Sequence, residues 1–257
     1  TIGSTKTVFY RGIFIVFPLL ALLIFTDNVF SLPHIIFLIG LSFIGYLALA
    51  SLYAGLVRGK VGVVISVADA ALLVTVLISR VFLNESLSTT QFIAMGVLFV
   101  GVIFVSINFN DVRRSELFTT SSGIHFAFIT CVLWGVYFSL LKIPVVAVGP
   151  TISSLIVESG QLLFAGIHMA FLGVPFAVPD KKIIWPLFFG GILAIGGSLF
   201  YNLGLSVAAS SIIFALTLAS PLIATIYSAI VYNERLRALQ YVAIILIVAG
   251  VVALSLV

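Results

Sequence analysis

Asp69 is a carboxylate inside an apolar run, and Ser66 stands one turn before it on the same helical face. A charged side chain at membrane depth costs about 2.5–3.5 kcal/mol on insertion scales. Asp69 is therefore expected to face a wet cavity or a partner, where it would hold a substrate ammonium or exchange a proton. A hydrogen bond to a neighbouring helix, or water near the end of the span, would also satisfy it. Glu158, with Gln161 three residues on, makes a second polar patch. It is read either as a binding residue or as an interfacial one. Arg11 has the right charge to pair with Glu158. Both lie early in spans expected to enter from opposite faces, which predicts opposite sides of the bilayer and a snorkelling role for Arg11.

Rings supply a further theme. Trp134, Tyr137 and Phe138 share a helical face at i, i+3 and i+4, and Tyr201-Asn202 lies near the end of another span, as Tyr53 does in its own. Rings with polar tips suit the wall of a cavity for an amphiphilic solute; packing or an interfacial belt is the alternative for any one of them. Trp134, mid-span beside Gly135, is the best exception. Lys142, at a span end, reads as snorkelling. Gly55-x-x-x-Gly59 and the stretch 190–197 read as close helix contacts or hinges, and Pro221 as a local helix break. Cys131 is alone, so neither a disulfide within the chain nor a thiolate metal site is expected. No HExxH, clustered His and Asp, or phosphate-binding Gly loop is visible, and no metal or cofactor is expected.

The elements that must position these residues are membrane spans. Hydrophobic residues make up 62% of the 257 and charged residues 8%, against roughly 25% charged in soluble domains. Nine helices are predicted, over 8–26, 33–57, 62–83, 89–107, 122–143, 151–172, 183–207, 211–231 and 238–256, with short connections between most. No stretch is left for a soluble catalytic or nucleic-acid-binding module. The longest polar stretch, 108–121, divides the chain into units at 1–110 and 122–257, joined by 111–121.

Asn84-Glu85-x-Leu87 recurs as Asn233-Glu234-x-Leu236, and Gln91, Ala94, Gly101, Val102 and Ser106 recur as Gln240, Ala243, Gly250, Val251 and Ser255, all at an offset of 149. The chain is thus built from two related halves. Five spans separate span 89–107 from its copy, and five is odd, so the copies cross the membrane in opposite directions: an inverted repeat. The second half has five spans and the first four. With no initiator Met, the expectation is that one helix precedes the visible chain and that the full form is five plus five. Of twelve basic residues, Lys6, Arg11, Arg58, Lys60, Arg113, Arg114, Lys181, Lys182, Arg235 and Arg237 fall on one side, and only Arg80 and Lys142 on the other. The basic side is expected to be cytoplasmic, with the visible N-terminus inside and the C-terminus outside.

Trp134-Gly135 followed by Lys142 and Pro150, then Ser220-Pro221-Leu222, Asn233-Glu234-Arg235-Leu236 and a Gly-containing last helix, resembles the drug/metabolite transporter superfamily, in particular its paired EamA domains. The resemblance covers nearly the whole chain. Each motif is short; their order and duplication carry the match. It implies a ten-helix all-α inverted-repeat bundle moving small organic metabolites, often amino acids. Arg11 stands where the family often has a basic residue in its second helix. Two departures stand out: Ala71-Leu72 replaces the Ser-Pro of the second half, and the family's usual orientation, with both termini cytoplasmic, is the reverse of the charge bias. The function expected is a secondary exporter in a bacterial inner (plasma) membrane, working by alternating access. Its partners would be a small organic solute, a coupling proton or cation, and lipid, with no nucleic acid. A non-transporting scaffold or truncated fragment is the alternative, and an integral-membrane enzyme a more distant one.

Overall fold

The computed structural model describes residues 3–26, 29–106, 123–231 and 238–256. Among them there is no strand. The helices are α1 (Ser4–Leu22), α2 (Leu32–Arg58), α3 (Val61–Asp69), α4 (Ala71–Phe82), α5 (Thr89–Ser106), α6 (Ile124–Leu140), α7 (Lys142–Val148), α8 (Pro150–Phe171), α9 (Lys181–Val207), α10 (Ser210–Thr217), α11 (Ser220–Val231) and α12 (Ala238–Ser255). Eight helical stretches are long and apolar enough to cross a bilayer, and Thr89–Val105 is a shorter apolar helix. All nine expected spans are accounted for. Phe25, Phe171, Leu193 and Phe200 are exposed, as outward faces in contact with lipid tails require. The joining stretch 111–121, Arg113, Arg114 and the second copy of the Asn-Glu motif at 233–236 lie outside the described residues, as do Arg235 and Arg237.

The largest boundary difference is in the fifth span. The span expected to stop at 143 continues to Val148 past a one-residue interruption at Leu141, whose backbone stays helical. Pro144 lies in the first turn of α7, where its missing N–H breaks no intrahelical bond.

Two spans are broken at the same repeat position. In the first half α3 ends at Asp69 and α4 resumes at Ala71; in the second, α10 ends at Thr217 and α11 resumes at Ser220. At each break the chain tightens by one residue. Leu73 donates to the Ala70 carbonyl at 3.0 Å and its counterpart Leu222 to the Ala219 carbonyl at 3.0 Å. Pro221 explains the second break, because it has no N–H to give to the preceding turn. Ala71-Leu72 imposes no such local constraint on the first.

The halves meet along α5 and α12. A Cβ placed on Gly101 would stand 2.8 Å from Ile247 Cγ1 and 3.0 Å from the Ala243 carbonyl oxygen; one on Gly250 would stand 2.6 Å from Leu98 Cβ and 3.0 Å from the Ala94 carbonyl oxygen. These contacts exchange under the repeat offset, so the seam is reciprocal. Each Gly meets the earlier turns of the opposite helix, so the two helices run antiparallel. The inverted repeat is thus present in the packing. The α1–α8 pair is antiparallel too: Gly12 meets Leu162, and Gly166 meets Phe9. The Gly55-x-x-x-Gly59 motif receives Gly123, whose backbone sits at φ +74° and whose Cβ would collide with the Gly55 carbonyl at 2.5 Å.

Candidate functional site

Helices α1, α2, α6, α8, α9 and α10 line a cavity of about 280 Å³. Seven expected site residues line it: Trp134, Tyr137 and Phe138 from α6, Glu158 and Gln161 from α8, and Tyr201 and Asn202 from α9. The i, i+3, i+4 spacing on α6 therefore faces a cavity, not lipid. Phe138 is the hub of the aromatic wall, with ring centroids 4.8 Å from Tyr137, 4.9 Å from Tyr201 and 4.8 Å from Phe214. The Tyr201 hydroxyl donates to the Phe138 carbonyl at 3.2 Å. Asn202 Nδ2 donates to Ser154 Oγ at 2.7 Å, which leaves Asn202 Oδ1 buried without a partner.

Arg11 lines the same cavity, which corrects the expectation that it lies across the bilayer from Glu158. The two spans do enter from opposite faces, but both residues sit deep enough for their levels to approach. The register of Gly12 against Leu162 separates them by about five residues along the pair, or about 7 Å, within reach of an Arg side chain. The guanidinium acts electrostatically on the Glu158 carboxylate, which is 8% exposed, and Ser198 faces that carboxylate as well. Arg11 Nε has no hydrogen-bond partner.

Asp69 does not join this cavity, contrary to the expected common site. It lines a second one of about 500 Å³, with Leu52, Val61, Ile65, Val105, Ser220, Pro221 and Thr225 among its walls. Trp134 belongs to both cavities and stands between them. Asp69 Oδ2 and Ser66 Oγ are buried without hydrogen-bond partners; Ser66 is not among the residues lining either cavity. Tyr53 packs beside Val8, Tyr46 and Ala165 instead of lining the site. His168, which looks isolated in sequence, hydrogen-bonds the Tyr46 hydroxyl. Lys142 does not snorkel: its ammonium makes an ion pair with Glu85 at 2.9 Å. Sequence reasoning missed Ser198 and Thr217 as lining residues, because single hydroxyls in apolar spans carry no spacing signal.

An inverted-repeat helical bundle with an aromatic-walled cavity that holds a few polar groups, lined by helices of both halves, has the architecture of a membrane transporter. The sequence comparisons agree. The EamA-like transporter family matches residues 1–107 and 121–256, and the chain belongs to that family. It is an integral membrane transporter of a small solute. A crystal structure of another protein, 18% identical, superposes with a TM-score of 0.75 over 98% of this chain and 87% of its own; that likeness is one of fold. No curated protein sequence matches this one.

Proposed function

We propose that the protein is a secondary carrier that exports small organic solutes, amino acids and related zwitterions foremost, by alternating access. The observation that carries this reading is the pair Arg11 and Glu158 in one aromatic-walled cavity. A guanidinium binds a substrate carboxylate and a carboxylate binds an ammonium. Trp134, Tyr137 and Phe138 would take the apolar part of the solute, with Gln161, Asn202 and Tyr201 as polar contacts. Asp69, across Trp134, would serve a coupling proton or cation in its own cavity. The repeat units are taken as 1–110 and 122–257 with 111–121 between them. The basic bias supports a plasma-membrane orientation with Val257 outside, which a reporter fused after Val257 tests directly.

The decisive experiment is counterflow of labelled amino acids in proteoliposomes. Removing the side chain that pairs with a buried substrate charge costs about 2–5 kcal/mol, so Arg11→Met and Glu158→Gln should each weaken zwitterion counterflow by about thirtyfold or more. Asp69→Asn should lose the pH or cation dependence of net transport while counterflow persists. Counterflow unchanged in both Arg11→Met and Glu158→Gln would refute the assignment of the cavity. No counterflow of any amino acid by the wild-type chain would favour the scaffold reading.

A further inference from the structure

Glu85 stands in the loop between α4 and α5, in the first repeat. Its carboxylate is held by the second. Oε1 accepts the Ser210 backbone N–H at 2.8 Å and the Lys142 ammonium at 2.9 Å, and Oε2 accepts the Ser211 hydroxyl at 3.3 Å. Ser210 opens α10 and Lys142 opens α7. The first amides of a helix lack intrahelical acceptors, so Glu85 satisfies the start of α10 from the other half of the molecule. Although it comes from a loop, its side chain is only 8% exposed.

Below this knot the path inward is filled in layers. Ser210 Oγ donates to the Ser139 carbonyl at 3.4 Å. Next comes Phe138, packed on Phe214 and Tyr201, and then the cavity of Arg11 and Glu158. The Asn-Glu motif is one of the clearest features of the repeat, and transport through the cavity gives it no other task.

We propose that Glu85 is a latch that holds the cavity shut toward the face of the α4–α5 loop, so that each transport cycle must release it from Ser210, Ser211 and Lys142. Glu85 lies in a loop, Ser210 and Ser211 at the start of a span, and the Lys142 side chain is 27% exposed, so water takes over their hydrogen bonds on release. That makes the knot a reversible closure. Hydrogen bonds to an ionised carboxylate are roughly twice as strong as neutral ones, and three of them acting on one side chain make release all-or-none. The inference rests on the family's transport activity and on no substrate assignment.

The test needs no substrate. In a Cys131→Ala background, Ser198→Cys places a thiol on the cavity wall. Its labelling by a charged, membrane-impermeant thiol reagent is measured in sealed vesicles of each orientation. Glu85→Gln should raise labelling from the latch face by about tenfold without raising it from the opposite face. Ser210→Pro removes the donated N–H at the first helical position, which tolerates proline, and should act in the same direction, as should Lys142→Met. If Glu85→Gln does not fold, the other two variants decide the matter. Unchanged labelling from the latch face in folded variants, even with a lowered melting temperature, would make Glu85 a structural staple and overturn the latch. A failed amino-acid counterflow would leave this result standing.

Discussion

The two copies of the repeat share a backbone and differ in chemistry. Span 61–82 and span 210–231 break at the same repeat position, yet Asp69 stands at the first break and Leu218, 3% exposed, at the second. The starts of the two spans differ as well. Ser210 is fully buried beneath Glu85, whereas its counterpart Val61 is 57% exposed and lines the Asp69 cavity. Along α5 and α12, by contrast, the copies are interchangeable. Symmetry is kept where helices pack and lost where polar groups meet cavities. The duplicated scaffold supplies the architecture, and the departures from symmetry supply the site.

That contrast can be broken most sharply at the span starts. With Cys131 replaced by Ala, a cysteine at Val61 should react with an impermeant thiol reagent about a hundredfold faster than one at Ser210, because labelling follows exposure and thiolate access. Equal rates would mean that the two span starts do not differ in access. A smaller effect tests the symmetric part. Gly101→Val and Gly250→Val each force atoms into a packed seam, and overpacking costs about 1–3 kcal/mol. The two variants should lower thermal stability by similar amounts. A large inequality would show that the seam is not reciprocal.

The smallest effect concerns pH. Burial raises the Glu85 carboxyl, but the bonds accepted from Ser210 and Ser211 and the Lys142 ammonium outweigh it and hold the group below its ordinary value. A lowered carboxyl stabilises the folded arrangement above the ordinary Glu value of about 4.3; that contribution is lost as pH falls through the lowered one. Labelling of Ser198→Cys from the latch face, corrected for thiolate fraction, should therefore stay flat from neutral pH down to the ordinary Glu range and rise only below it. A rise already between about pH 7 and 5 would assign the closure to another group.

Much of this molecule is legible along the chain. Span length is a local property imposed by bilayer thickness, so nine apolar runs read as nine helices. The offset of 149 and an odd number of intervening spans required the inverted repeat, and the Trp134 face follows from helical spacing alone. The continuation of the fifth span to Val148 was hidden, because Pro144 looks like a stop unless it is known to lie in the first turn of a helix. The break after Asp69 was hidden as well, since Ala71-Leu72 has no proline to announce it. Partner choice lay beyond sequence reading altogether. Arg11 shares a cavity with Glu158 because of the depth at which α1 and α8 cross, and Glu85 meets Lys142 and Ser210 because one loop of the first repeat lies over two helix starts of the second. Hydropathy and periodicity record what each segment must do with its own surface. Which charges face each other depends on register between segments far apart in the chain, and only the packed bundle sets that register.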